Sequence, residues 1–471
     1  MLFTIDIGTS SFKSALWDLE GKNPSFAAVP LTNSNDCTQW LRAFETCCIK
    51  LAAASCAGNL GAVQVIIISG NGPSLVPVTG KPNIGNKGLS VAAENARLWL
   101  DRSAVKYQTE VSDVMGGFVD SGFFLPKILG IKNDEKELYD KTNCFLGCPE
   151  YLAYALTGEA RTVFPSDGFD RWFWNNSILE KLNLDTKKFP PFIRPGEMFG
   201  TIIPSVAEHF GFAKNIPVIT GGPDFFAAIL GAGITQPGQA CDRTGSSEGI
   251  NLCTLNRIND NRLMSYGHPV KPYWNLSGVI STTGRAIQWC RELLGIASFE
   301  EFFSLAQSSE AGCKGIVFVP YLAGERAPVW DPSLRALWHG LSLDSGRAQL
   351  VRSVLEGIGF AIKNVIDVME ESTGGGFVSE LRVTGGLADN VCLNQIKADI
   401  TGKVILESAC KEAELLGLAV IGSCYLQRFS SWAEASASMV CIKKRYEPNR
   451  ENTGIYNQLF KNYLTASNQS K

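Results

Sequence analysis

A carboxylate set inside an apolar strand and followed by a turn of glycine and hydroxyl residues constrains this chain more than any other feature. Residues 2–7 (Leu-Phe-Thr-Ile-Asp-Ile) read as a buried strand, Gly8-Thr9-Ser10-Ser11 as a tight turn, and residues 12–17 as the returning strand. Burying Asp6 without a partner is costly. The backbone N–H groups and hydroxyls of such a turn can face an anion. A carboxylate beside a phosphate-cradling turn suggests a metal–nucleotide site, with Asp6 holding Mg²⁺ through water; an ordinary β-hairpin accounts for the same letters equally well. Residues 241–252 repeat the scheme, with Gly245, Ser246 and Ser247 between strand-like runs. Two such hairpins about half a chain apart suggest two related domains that grip one nucleotide.

At 471 residues the chain exceeds a single hydrophobic core, so two domains are expected. A formal charge of −3 offers no basic excess for a nucleic-acid partner. The 14 cysteines and 3 histidines lack zinc-site spacing, and scattered cysteines fit a reducing compartment. Asp6 interrupts the first apolar run and no basic segment precedes it, which argues against a signal peptide. No apolar stretch approaches the roughly 18 residues of a membrane helix. A cytoplasmic protein without a membrane partner is the expectation.

Along the chain, residues 38–54 carry helical spacing, and residues 63–68 form a β-branched, buried-type strand. That strand runs into Asn71-Gly72-Pro73, at the kind of carboxyl end where ligands sit in open α/β sheets; a plain connecting loop has equal weight. Trp99, Asp101 and Arg102 offer an indole, a carboxylate and a guanidinium to a polyhydroxylated ligand, although a surface ion pair beside a core tryptophan explains them too. Residues 126–130 and 149–157 look helical, and residues 169–174 are an aromatic packing segment. Residues 216–220 form a strand, Gly221-Gly222-Pro223 its turn, and Asp224 opens a helix. By position alone Asp224 is an N-cap; the functional alternative is a general base. Strands are further expected at 279–283, 316–321 and 380–384, with Gly284 entering a helix. The longest helix is expected over 347–371, another over 391–401, and a polar helix over 446–463. Gly385-Gly386 form a tight turn whose bare backbone could also receive an adenine or ribose.

The order of these pieces resembles the FGGY family of carbohydrate kinases, within the actin-like ATPase superfamily, and among them most closely the xylulose kinases. The resemblance spans essentially the whole chain. It rests on residues 321–335 (YLAGERAPVWDPSLR), leading through Gly340-Leu341 and Arg347-Ala348 to Leu355-Glu356-Gly357. It rests also on Gly385-Gly386 with Gln395 and Ala398-Asp399, on residues 5–10, and on Gly221-Gly222-Pro223-Asp224. The resemblance implies an α/β protein of two ribonuclease-H-like (actin-like ATPase) domains with a ligand cleft between them. Their bounds would be 1–233 for sugar and 234–441 for nucleotide, with a helical tail over 442–471. It implies Asp224 as catalytic base and Asp6 as the metal-site residue. Gly8, Thr9, Ser10, Gly245, Ser246 and Ser247 would hold phosphates, and Gly385, Gly386 and Gly284 would lie near adenosine. Asn71, Gly72, Pro73, Trp99, Asp101, Arg102 and Asp224 would meet the substrate. ATP and Mg²⁺ are the implied cofactors and a small sugar or polyol the partner, with a homodimer left open. Two departures bear on the acceptor. Xylulose kinases usually carry Gln-Met-His where Asn71-Gly72-Pro73 stand, and an Asn where Phe225 follows Asp224; glycerol kinases carry an Arg-Glu pair near that first turn that is missing here. A less common ketose, polyol or deoxy sugar is therefore expected. The competing readings are a non-catalytic actin-like nucleotide-binding module with a signalling or assembly role, and a chaperone-type ATPase, for which no substrate-binding β-domain follows.

Overall fold

The computed structural model describes residues 1–55, 58–85 and 88–470. The chain divides into two compact units. Unit 1 comprises residues 1–231 and 414–439, and unit 2 comprises residues 232–413 and 440–471. This corrects the linear boundaries read from the sequence. Helices Ala413–Tyr425 and Trp432–Met439 return to unit 1 rather than extending unit 2, and residues 442–471 are part of unit 2 rather than a separate tail. The return has a packing basis: Ser423 Oγ donates to the Leu19 carbonyl at 2.8 Å, and Ser436 Oγ to the Leu230 carbonyl at 2.6 Å.

In unit 1 the hairpin of β1 (Leu2–Ile7) and β2 (Ser11–Trp17) is extended by β3 (Ser25–Pro30). Strand β4 (Val65–Gly70) joins the other side of β1 in parallel, followed by β6 (Pro217–Pro223) and then by the antiparallel β5 (Met198–Thr201). The sheet order is β5-β6-β4-β1-β2-β3. The continuous apolar runs of β1 and β4 are what a central strand covered on both faces requires. Helix α1 (Cys37–Ala54), capped by Asp36 through the Thr38 N–H, buries Trp40, Leu41, Phe44, Cys47, Cys48 and Leu51. Helix α2 (Cys148–Thr157) is buried along most of its length, and α3 (Asp224–Gly231) leaves the end of β6.

Unit 2 repeats the plan. Strands β7 (Gln239–Thr244) and β8 (Glu248–Thr254) form the hairpin, extended by β10 (Trp274–Ile280) and then β9 (Met264–Gly267). Strands β11 (Glu380–Gly385) and β12 (Ile405–Ser408) add in parallel, and β13 (Ile442–Tyr446) closes the far edge antiparallel, in the order β9-β10-β8-β7-β11-β12-β13. Helix α4 (Gly284–Leu293) precedes the long α5 (Arg347–Thr373), which α6 (Val391–Thr401) packs against. The strand expected at 279–283 ends at Ile280. Thr282 and Thr283 turn instead into α4, where Gly284 N–H donates to the Gly245 carbonyl at 3.0 Å. The last helix, α7 (Arg450–Ser467), begins later than expected because Tyr446 closes β13, its hydroxyl donating to Glu407 at 2.7 Å.

Candidate active site

The first hairpin turn is anchored by chain pairing on both sides. Asp6 stands opposite Lys13 on β2 and Ser69 on β4. Ser69 Oγ donates to Asp6 Oδ1 at 2.9 Å. Burial, with Glu414 and Asp224 adding like charge, pushes the Asp6 carboxyl up to about 7; Ser69 and, least of all, Lys13 oppose the rise. Two carboxylates from distant segments of unit 1 thus act electrostatically on Asp6. Glu414 is the member that sequence reading missed, and its signal is visible in retrospect: a carboxylate in the first turn of the otherwise apolar helix Ala413–Tyr425.

Asp224 begins α3, half-buried, with its Oδ1 accepting the Phe225 N–H at 2.6 Å. A cap usually accepts from the second or third helical N–H, so this contact with the adjacent residue is not the ordinary capping bond. Phe225 stacks on Phe169 with centroids 6.1 Å apart, Phe169 meets Trp172 edge-on at 5.2 Å, and Trp172 stacks on Phe123 at 5.3 Å. The aromatic segment expected only to pack thus continues to the residue beside Asp224.

The expected sugar-contacting residues are brought together. Trp99 Nε1 donates to Thr9 Oγ1 at 3.1 Å, which ties the indole to the first turn. Arg102 Nη1 donates to the Trp99 carbonyl at 2.9 Å, and its guanidinium lies 3.4 Å from Asp120. The Asp101 carboxylate accepts the Ser103 N–H at 2.8 Å. Asn71 is buried, its amide donating to the Ile7 carbonyl at 2.9 Å and its carbonyl accepting from Ser74, so its side chain is used to hold the turn. Gly72 and Pro73 are the more accessible members of that turn. Lys127, which sequence reading also missed, is buried and donates to the carbonyls of Pro73 (2.9 Å), Arg97 (3.2 Å) and Leu98 (2.6 Å), joining the two segments. Burial pushes its ammonium down to about 7.

In unit 2 the expected nucleotide residues also gather. Ser246 carbonyl accepts from Thr283 and Arg285 N–H at 3.2 and 3.3 Å, placing the second turn on the start of α4. Thr244 Oγ1 donates to the Thr384 carbonyl at 2.8 Å and accepts the Leu387 N–H at 3.0 Å, while Gly386 N–H donates to the Thr244 carbonyl. Two glycines are sterically required here. A Cβ on Gly284 would lie 2.4 Å from the Gly245 carbonyl oxygen, and one on Gly385, whose φ is +90°, would lie 2.2 Å from that of Thr244. Beside Gly284, a recess of about 340 Å³ is lined by Thr282, Arg285, Trp289, Leu322 and Ala323, within the size range of small-ligand pockets.

Two copies of one strand order, each centred on a glycine–hydroxyl hairpin, define the actin-like ATPase class. The particular family follows from comparison with known proteins. The N-terminal domain model of the FGGY family of carbohydrate kinases matches residues 1–231, and the C-terminal domain model matches residues 249–425. A xylulose kinase of Staphylococcus epidermidis is 26% identical over 99% of this chain and 96% of its own length. That of Staphylococcus xylosus is 30% identical over 73% of each. Among solved structures, the ligand-bound xylulose kinase of Lactobacillus acidophilus has a TM-score of 0.84 at 20% identity, covering 100% of this chain and 98% of that one. Plasmodium falciparum glycerol kinase with ADP gives 0.81 at 20% identity over 99% and 98%. The chain belongs to the FGGY family of carbohydrate kinases and is a phosphotransferase. Membership implies ATP as one substrate and a small-molecule sugar as the other.

Proposed function

We propose that the chain phosphorylates a hydroxyl of a sugar or polyol, with Asp224 as general base. The observation that supports this reading is the place of Asp224 at the head of α3, half-buried, with its carboxylate on the adjacent Phe225 N–H rather than in an ordinary capping bond. Phosphoryl transfer is chiefly positioning and charge neutralisation. Asp224 accepts the proton of the attacking hydroxyl, which Trp99, Asp101, Arg102 and the Gly72-Pro73 turn orient. The N–H groups and hydroxyls of Gly8, Thr9 and Ser10, and of Gly245, Ser246 and Ser247, receive phosphates. Adenosine lies by Gly284, Gly385 and Gly386, where the 340 Å³ recess offers Trp289 and Leu322.

The residues around Asp6 fit Mg²⁺. Hard oxygen donors and the like charge that acts on Asp6 favour a hard divalent cation, yet among the described residues no three His, Cys, Asp or Glu side chains form a direct ligand set. Mg²⁺ habitually keeps its waters and takes one or two carboxylates with substrate phosphates. Asp6 would hold it through water; when bound it supplies charge neutralisation to the phosphates.

The named relatives make xylulose the first acceptor to assay. The stacked Phe225 and the inward-turned Asn71 replace polar groups with an apolar or spent surface, which favours an acceptor with fewer hydroxyls on that side. The test is ADP release in the presence of a panel of ketoses, polyols and deoxy sugars. A sugar-dependent rate is expected. Hydrolysis indifferent to every sugar would support the chaperone-type ATPase reading instead, and nucleotide binding without turnover the non-catalytic one.

A further inference from the structure

Unit 2 contains three ionisable side chains that the proposed chemistry does not use and that are almost wholly withdrawn from water. Lys397 of α6 reaches Asp242 Oδ2 at 2.6 Å and also contacts Glu248 Oε1. Side-chain exposure is 0% for Lys397, 0% for Asp242 and 2% for Glu248. Their places in the fold give this triad its interest. Asp242 lies on the outgoing arm of the second hairpin, three positions before Gly245, and Glu248 is the first residue of the returning arm. The Gly245-Ser246-Ser247 turn is therefore bracketed by two carboxylates that one ammonium joins. The ammonium comes from the helix entered directly after Gly385-Gly386. One buried cation thus links the turn assigned to phosphate with the segment assigned to adenosine.

We infer that Lys397 is a positioning residue for nucleotide binding, holding the two arms of the second hairpin in register so that the N–H groups of residues 245–247 face phosphate. This rests on the reading of that turn under the proposed function. The charge arrangement supports it. Burial alone would lower the Lys397 ammonium, but Asp242 and Glu248 outweigh it and keep the residue charged. Burial and the Asp242 charge push the Glu248 carboxyl well up, and the Lys397 ammonium offsets the negative charge that lies behind the anion site. Without the lysine, the carboxyl pair would leave negative charge behind the turn and oppose the phosphates assigned to it.

The experiment compares three variants with the wild type under steady-state kinetics, using the acceptor found by the sugar panel, and under calorimetry with ADP. Lys397→Met removes the cation. Lys397→Met combined with Asp242→Asn and Glu248→Gln removes all three charges and so strands no buried charge, which keeps the test open if the single variant does not fold. Ser246→Glu puts a carboxylate in the turn itself. Both Lys397 variants are expected to raise the KM for ATP and the Kd for ADP about tenfold or more, with kcat and the acceptor KM within about threefold. Wild-type nucleotide affinity in the uncharged triple variant would show a role in folding alone and overturn the inference. So would ATP and acceptor KM rising together in the single variant. If Ser246→Glu leaves nucleotide affinity unchanged, the turn is not a phosphate site, and the underlying reading fails along with the inference. If Ser246→Glu abolishes binding while the Lys397 variants bind normally, only the inference fails.

Discussion

The two hairpins share a topology and treat buried carboxylates in opposite ways. In unit 1, Asp6 has other carboxylates as its strongest electrostatic neighbours, Glu414 and Asp224, and Lys13 acts on it least. In unit 2, Asp242 and Glu248 carry their own counter-charge in Lys397. A buried charge must be paired, protonated or given a metal. The second hairpin is paired from within the chain. The first has like charge among the largest influences on its carboxyl, a setting that the proposed cation would complete. Under the proposed function both hairpins are phosphate turns, and the difference between them would separate the site of cation and proton chemistry from one whose carboxylates already hold a cation.

The largest effect tests whether the unit 1 carboxylates serve a ligand rather than the fold. Asp224→Asn should lower kcat by roughly 10²–10⁴-fold, since an amide cannot take the hydroxyl proton. Melting temperature and substrate affinity should barely move, because Asn is nearly isosteric with Asp and its Oδ1 can still accept the Phe225 N–H. Turnover near the wild-type rate would leave Asp224 as a structural residue and collapse the distinction between the hairpins.

Stability should separate the two hairpins next. Lys397→Met strands two buried carboxylates and is expected to cost about 3–5 kcal/mol in chemical denaturation. Asp6→Asn removes a carboxylate that burial and like charge push up, and stability should hold or rise, while Mg²⁺-dependent turnover weakens. The sign follows from the raised Asp6 carboxyl. The folded state holds its proton more tightly than the unfolded chain, so wild-type stability falls as pH climbs from about 4 through about 7. The advantage of Asp6→Asn should therefore grow over that interval. A variant destabilised equally at pH 5 and pH 8 would mean that Asp6 is compensated after all.

Gly385→Ala sharpens the second hairpin's side. The substitution meets both a φ of +90° and the Thr244 carbonyl, and should cost about 1–3 kcal/mol and weaken ADP binding. An unchanged melting temperature would show that β11 can shift away from β7. The smallest effect concerns Glu150 of α2, away from either turn. Its Oε1 accepts the Val163 N–H at 3.1 Å while Oε2 finds no partner among the described residues, and burial pushes the carboxyl up to about 7. Here too stability declines as pH rises from about 4.5 through 7. Glu150→Gln should flatten that decline by about 1 kcal/mol, read as melting temperature against pH. A slope identical to wild type would assign the pH dependence to Asp6 alone.

Local pattern was enough for much of this molecule. The first hairpin, the α1 and α6 helices, the start of α5 and the strand–turn that presents Asp224 are written in short-range signals: β-branched runs, Asp36 as cap and Gly374 as stop. The order of those motifs carried the family. Three things lay outside that reach. The return of residues 414–439 to unit 1 is decided by packing against Leu19 and Leu230, far away along the chain. Glu414 is one more helix-start carboxylate until that return brings it near Asp6. Lys397 looks like a surface lysine on an amphipathic helix until β7 and β8 close over it. Sequence determines which residues have the chemistry to be strand, turn, base or cap, because those choices depend on neighbours a few residues apart. Which buried charges meet one another, and hence which are neutralised and which stay poised for a ligand, is settled only when segments more than a hundred residues apart pack together, because electrostatic pairing depends on distance in space and on exclusion of water.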